Sequence, residues 1–538
     1  SKDMKKTIHI LLLAALSLFA GSCSSDFNPN IYGQLMVGTF PTNEAEYTSY
    51  MMTCYMPYTN VWTYNMGTAG NQYPLPIQSC GNVRMFDVTS DICGRAKNLQ
   101  DWERFSVGDF SNCYFYARNT INDYNCVNHF SKCQQITRYT EIIGTLEKAS
   151  EEHIRPEVKR QLVAEARLCR ANMLYFLLHV YGPVAVVMDP EKVTDSNTLS
   201  DLRRPSLDQY CQWIYDDMLY AAENLSETAP DPGRWTRDYA RFCLMKHCLN
   251  EGYHKDGWYQ KGLDMYAELN TGKYDLFPDY AEMFKNANKG NCEYIMAVLC
   301  TEEADGNPRR GNFNPMLMWS LPSELAPSAT FPVGGGWFQA NSIDVKWYKT
   351  FESADERRSV IVTSYKAKDG TNVGDAHIGI RWNGYIVNKW PQETQTQFQG
   401  QDIPLARWAD VLLMFAELDT RKNNAVSPEA VAAVDKVRDR AGLEGLPAAK
   451  TASVEAFLDA ILMERGHEFF FEGFRKIDLI RHNRFAQEMH RYKSVTPPLQ
   501  YIPLPNFVLQ MSELYGVDVE QTYERPEYSQ DRNLANPI

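Results

Sequence analysis

Between residues 130 and 285 apolar residues recur every three or four positions, the spacing that gathers them on one side of an α-helix. The stretch QLVAEARLCRANMLYFLLHVYG carries two such stripes. Leu162, Ala166, Cys169, Met173, Phe176 and Val180 form one; Ala164, Leu168, Ala171, Tyr175 and Leu178 form the other. A helix with two apolar stripes packs on two sides, as in stacked helix layers. Gly182-Pro183 stops it. SLDQYCQWIYDDMLYAAENL, with Ser206 placed to cap, continues the pattern, followed by DYARFCLMKHCLNEGYH and WYQKGLDMYAELNTGKY. From about 290 to 400 the helical period disappears. Gly334 to Gly336, many Pro and Asn residues, and the short runs YIMAVL and SVIVTSY predict strands and long loops there. Helices return at 406. ARWADVLLMFAEL sets Trp408, Val411, Leu412 and Phe415 on one face. SPEAVAAVDKVRDRAGL has Ser427 to cap it, Pro428 at its first position and Gly442 to end it. SVEAFLDAILMERGHEFFFEGFRKIDLIR is the third. Paired helices without a clean repeat period predict a mostly α fold: a degenerate, tetratricopeptide-like helical-repeat scaffold with an irregular loop-rich face and a few short strands.

The N-terminus predicts where the chain resides. Met4-Lys5-Lys6 is positive, and Ile8 to Ala20 is apolar but too short to cross a bilayer, which needs roughly 20 residues. A charged start, a short apolar run and then small residues make a bacterial secretion signal. Ala20, Gly21 and Ser22 lead directly into Cys23, the arrangement of a lipoprotein signal in which the cysteine sulfur receives a diacylglycerol. A plain signal cleavage near Ala20 is the alternative. The expected organisation is therefore a signal peptide over 1–22 (with extra residues leading Met4), a lipidated tether over 23–40 and a single domain over 41–538. Within it lie helical blocks at 130–285 and 406–485 and a loop/strand insertion at 290–400.

With 538 residues, 44% of them hydrophobic, the chain can bury a large core. A net charge of −13 argues against nucleic acid, whose phosphates need a basic face. Of 13 cysteines, Cys169, Cys211, Cys243 and Cys248 fall in helical patterns, where Cys acts as a small core hydrophobe. Cys292 and Cys300 flank a strand that holds them roughly 26 Å apart at about 3.3 Å per residue, beyond disulfide reach. Any disulfide is expected among Cys80, Cys93, Cys113, Cys126 and Cys133. No CxxC is present and no Cys/His group has zinc spacing, so no metal or cofactor is expected. GxSxG, HExxH and EF-hand patterns are absent. Asp216-Asp217 and Glu302-Glu303 are adjacent carboxylates rather than a pair facing across a cleft. His467-Glu468, beside three phenylalanines, reads as helix-end packing rather than an acid/base pair. No catalytic residue is assigned.

Aromatics outside the helices are the more informative feature, because ring faces on loops stack on sugars and also bind peptides. Trp62 and Trp102 precede the first long helix; Trp319, Trp337, Trp382 and Tyr385 lie in the irregular middle. These six are the candidate ligand contacts, aided by amides such as Asn60, Asn65 and Asn341, which both donate and accept.

RWADVLLMFAEL, AVDKVRDRAGL and ERGHEFFFEGFRKIDLIR resemble the C-terminal signature of the SusD/RagB family of Bacteroidetes outer-membrane lipoproteins. EARLCRANMLYFLLHVYGPV is similar to the family's long helix, TGKYDLFPDYAEMF to a later segment and FPTNEAEYTSYMMTCY to its first helix. PLPNFVLQMSELY, after Ile502, departs from the family pattern. The resemblance implies a tetratricopeptide-like scaffold, lipid-anchored through Cys23 on the outer face of the outer membrane. It also implies a lid on a SusC-like TonB-dependent transporter, capturing an oligosaccharide for import. The same role for oligopeptides, as in the RagB branch, and an α-helical glycosidase are the alternatives. Glu464, Arg465, Glu472, Arg475 and Asp478 of the signature are expected to be structural ion pairs.

Overall fold

The structure, a computed structural model, describes residues 40–58, 81–96, 100–110, 129–130, 132–302, 312–336, 339–396, 399–497 and 499–525. After α1 (Glu44–Met52), the helices follow in succession: α2 (Lys132–Lys148), α3 (Pro156–Tyr181), α4 (Leu207–Asn224), α5 (Arg237–Glu251) and α6 (Trp258–Leu269). Each packs on the next, and α6 packs on α7 (Trp408–Asn423), which carries the stack on to α8 (Pro428–Arg440) and α9 (Val454–Phe469). The two stripes of α3 explain its place in the middle. Leu162, Cys169, Met173 and Phe176 are buried on one side and Ala164, Leu168 and Leu178 on the other, between α2 and α4. The boundaries follow local chemistry. Ser206 Oγ accepts from the Gln209 amide at 3.2 Å and Ser427 Oγ from the Ala430 amide at 3.1 Å, satisfying first-turn donors that a helix leaves open. This is the tetratricopeptide-like scaffold that the sequence predicts.

The first helical block stops earlier than 285. It ends at Leu269, and from there to 293 the chain is irregular apart from the short 3-10 turns Glu282–Phe284 and Asn286–Asn288. Gly272, with φ of 83°, and Pro278 break the pattern that the apolar spacing alone continued. The middle block leaves and re-enters the stack through one antiparallel pair, β1 (Tyr294–Val298) with β6 (Ile403–Arg407), in register Tyr294↔Arg407 and Val298↔Ile403. SVIVTSY contributes two very short strands. β2 (Ile361–Val362) pairs with β5 (Ile386–Val387), and β3 (Tyr365–Lys366) with β4 (Asn372–Val373). After α10 (Arg475–Arg481) and α11 (Phe485–Lys493), PLPNFVLQMSELY supplies α12 (Asn506–Leu514), and the Ile502 amide donates to the Val180 carbonyl at the end of α3.

Two of the cysteines placed among the disulfide candidates, Cys93 and Cys133, are free thiols. Each is held among apolar neighbours, where burial pushes its thiol pKa up, Cys133 to about 12. Cys80, Cys113 and Cys126 lie outside the described residues, as do Cys23 and the signal segment. No described helix is long and apolar enough to cross a membrane.

Candidate functional site

The irregular block builds one face, and three short segments hold it together. Residues 92–94, 341–344 and 383–387 lie side by side through isolated bridges, Cys93↔Ile343 and Ile343↔Tyr385. The Gly94 amide donates to the Ser342 carbonyl and the Asp344 amide to the Ile92 carbonyl, both at 2.9 Å. Gly94 is required by contact: a Cβ there would stand 2.3 Å from the Asn383 carbonyl oxygen. The glycine cluster serves the same close packing. A Cβ on Gly336 would stand 2.4 Å from the Met318 carbonyl oxygen, so the chain before Trp337 lies directly on the short helix Met316–Ser320. Beyond it, Gln339 adopts a left-handed φ of 47°. Its side chain grips the next segment, donating to the Gly384 carbonyl at 2.8 Å and accepting from the Asn383 amide at 2.7 Å.

Four sequence candidates converge here, and the structure puts them in a layer beneath the surface. Trp319 is 8% exposed, Trp382 1% and Tyr385 4%, and Asn341, whose amide donates to the Trp319 carbonyl, is buried. Trp382 stands edge-on to Tyr365 at 5.4 Å, and its other neighbour Tyr385 meets Tyr348 at 5.0 Å. The expectation of open stacking faces on Trp319, Trp382 and Tyr385 therefore needs correction: large rings in a long insertion fill the insertion's own core. Trp62 and Trp337, with Asn60 and Asn65, lie outside the described residues. Trp102 falls in the short helix Gln100–Ser106.

Over that ring layer sits a polar set that the apolar pattern did not reveal. Glu324 accepts from Tyr365 Oη at 2.7 Å and, in bidentate fashion, from Arg381 Nε at 2.9 Å and Nη2 at 2.7 Å. Arg381 also reaches Asp369 at 2.9 Å, and Tyr385 Oη donates to Asp375 at 2.7 Å. Ile380 projects beside them, 72% exposed. The Thr371 amide and hydroxyl, then Arg381, hold the Asp369 carboxyl down to about 2, and Arg381, then Tyr365, lowers that of Glu324. Both carboxylates stay ionised at neutral pH. The face can offer planar donors and acceptors to a hydroxylated ligand. Its residues are far apart in sequence; the one local signal was Arg381 beside Trp382.

The signature residues do something else. Glu464 pairs with Arg357 and Arg438, Arg465 with Asp410 and Asp478, and Glu472 with Lys389 and Arg407. Arg475 pairs with Asp91, and Asp478 with Arg481. All are buried ion pairs. His467 is buried against Phe351 and meets the Thr350 hydroxyl at 2.8 Å, while Glu468 is enclosed by Arg357, Arg407 and Arg440. That is packing. Asp217 pairs with Arg170 at 2.7 Å, whereas Asp216 accepts from Gln212 of its own helix at 2.7 Å.

Comparison with known proteins agrees with this architecture. A profile of the SusD family matches residues 223–501, and one described as starch-binding associating with outer membrane matches residues 76–237. A SusD-like protein of Bacteroides ovatus is 25% identical over 377 residues, 66% of this chain; the match spans 64% of that relative's length. A SusD superfamily protein from Parabacteroides distasonis has the same fold, with a TM-score of 0.69 at 17% identity over 89% of this chain and 98% of its own. Surface glycan-binding protein A from Bacteroides thetaiotaomicron, solved with laminarihexaose, matches with a TM-score of 0.67 at 18% identity, covering 90% of this chain and all of its own (100%). The chain belongs to the SusD family.

Proposed function

We propose that the protein is a cell-surface lipoprotein that captures an oligosaccharide on its loop face and acts as a lid on a SusC-like TonB-dependent transporter. Cys23 carries the lipid that anchors it to the outer membrane, and the −13 charge keeps nucleic acid out of its ligand range. One feature supports this function most strongly. On a SusD-family scaffold, Arg381, Glu324, Asp369 and Asp375 overlie a layer of aromatic rings, and the segments bounding Trp337 are pinned beside them. Sugars are recognised by that combination, rings for C–H surfaces and planar polar groups for hydroxyls. A relative of the same fold is described with laminarihexaose, which makes a β-glucan the first ligand to try. The role is binding rather than catalysis: Glu324 and Asp375 are each committed to a tyrosine hydroxyl, and the buried acids of the signature are neutralised by arginine.

Gentle detergent extraction followed by affinity purification tests the lid. A larger β-barrel partner is expected to co-purify. Recovery of the protein alone, under mild detergent and low salt, would remove the lid from the proposal. An oligosaccharide screen run in parallel with a peptide mixture tests the ligand class; binding of peptides alone would transfer the same role to oligopeptide import.

A further inference from the structure

Away from the loop face, the first two turns of α4 meet the end of α5 and the turn that follows it. Cys211 Sγ, a Glu251 carboxylate oxygen and a ring nitrogen of His254 all lie within 4.8 Å of one another. His254 Nε2 stands 2.9 Å from Glu251 Oε2, and its Nδ1 faces Asp208 Oδ1 at 3.5 Å. We propose that Cys211, Glu251 and His254 form a divalent-metal site selective for Zn²⁺, with a fourth position left for water.

The donor set carries the choice of ion. A thiolate and an imidazole favour zinc over magnesium or calcium, which take oxygen ligands. Zinc binds sulfur at about 2.3 Å and nitrogen or oxygen at about 2.0–2.2 Å, so the three donor atoms of a tetrahedral site stand roughly 3.3–3.8 Å apart. The observed spacing needs only small side-chain shifts to meet that. The surroundings are those of a ligated histidine, because a carboxylate, Asp208, faces the second ring nitrogen and can fix its tautomer. Glu251 is oriented by Arg525, whose Nη1 reaches Oε2 at 2.9 Å and Nη2 reaches Oε1 at 3.1 Å. Each carboxylate oxygen has a second lone pair, so Oε2 can serve both guanidinium and metal. The facing charges are Asp208, Glu251 and the Cys211 thiolate against Arg525 and Lys255, the latter 3.3 Å from Asp208, and the buried imidazoles of His247 and His179 also face Glu251. Cys211 and Glu251 are buried while His254 is half-buried and Asp208 exposed, which leaves an entry from the surface. On binding, the Cys211 S–H bond breaks, its proton passes to solvent and an S–Zn bond forms, so affinity rises with pH.

Cobalt reports on this directly. Protein stripped with a chelator and titrated with Co²⁺ is expected to develop a thiolate-to-cobalt charge-transfer band at one ion per chain, which Zn²⁺ then abolishes. The band should persist in Cys292→Ala, which removes the exposed thiol, and disappear in Cys211→Ser. Asp208→Asn, which leaves all three ligands in place, should weaken Zn²⁺ roughly tenfold to a hundredfold. No thiolate band in the unmodified protein, or a band that survives in Cys211→Ser, overturns the site. The first of these is read on the native chain, so a variant that fails to fold does not shelter the proposal.

Discussion

Arg475→Ala tests how the loop face is tied to the helix stack. Arg475 opens α10 and sends Nε and Nη2 to Asp91 at 2.9 and 2.8 Å and Nη1 to the Leu462 carbonyl at 2.7 Å. Asp91 is fully buried just beyond the π-helical turn Val83–Val88, and residues 92–94 run directly from it into the face. Removing the guanidinium strands a buried carboxylate, a loss of about 3–5 kcal/mol. Removing both charges, as in Arg475→Met with Asp91→Leu, leaves neither member of this pair stranded, while Glu488 and Asp478, which also face Arg475, keep Arg491 and Arg465 beside them. It forfeits chiefly the bond to Leu462, about 1 kcal/mol. Urea unfolding of the two variants measures the contrast. Hydrogen exchange adds the location: in Arg475→Ala the Gly94 and Asp344 amides, which join the face to residues 92–94, should lose protection. A single variant costing under about 1 kcal/mol, or a double variant as unstable as the single, would refute the reasoning.

Other predictions follow from burial, capping and the N-terminal signal. Trp382→Ala removes a ring that is 1% exposed, and should cost about 3–5 kcal/mol of stability; a melt unchanged from the parent would place the ring at the surface. Asp87 caps α10, accepting from the Gly473, Phe474 and Arg475 amides, and burial raises its pKa from 3.8 to about 7. Because the folded value is the higher, the stability tied to its protonation is full below about pH 4 and lost as pH rises to about 7. The stability margin of the parent over Asp87→Asn should therefore shrink across that window, and a constant margin would contradict it. Cys23→Ala should fold but take up no labelled fatty acid; retained label would dismiss the lipid anchor.

The helix stack was legible because its signals are local. Apolar spacing sets the two sides of α3, and Ser206 and Ser427 announce helix starts that the structure keeps. The candidate face was only half legible. Sequence marks Trp319, Trp382 and Tyr385 as rings in a loop region but cannot say whether an insertion of this length has its own core, and it does. Arg381, Glu324 and Asp375 escaped notice because isolated charges look alike until folding brings residues 324 and 381 within 2.7 Å. Cys211 and His254 escaped zinc spacing for the same reason: their proximity belongs to the packing of α4 on α5. The ion pairs of the signature were recognisable through family resemblance, while their partners Asp91, Arg357 and Lys389 were not.

Glycan capture on the loop face is tested most directly by calorimetric titration with an oligosaccharide panel that begins with laminarihexaose, run on the parent, Trp337→Ala and Arg381→Ala. Arg381 is a partly exposed pair member, so its loss should leave the melt nearly unchanged. A stacking ring contributes about 1–3 kcal/mol by analogy with base stacking and a hydrogen bond from a charged group about 1.5–3 kcal/mol, and the predicted result is an oligosaccharide bound by the parent and weakened roughly tenfold to a hundredfold in both variants. Binding by both variants as tight as the parent's, or no oligosaccharide bound at all, would contradict the account.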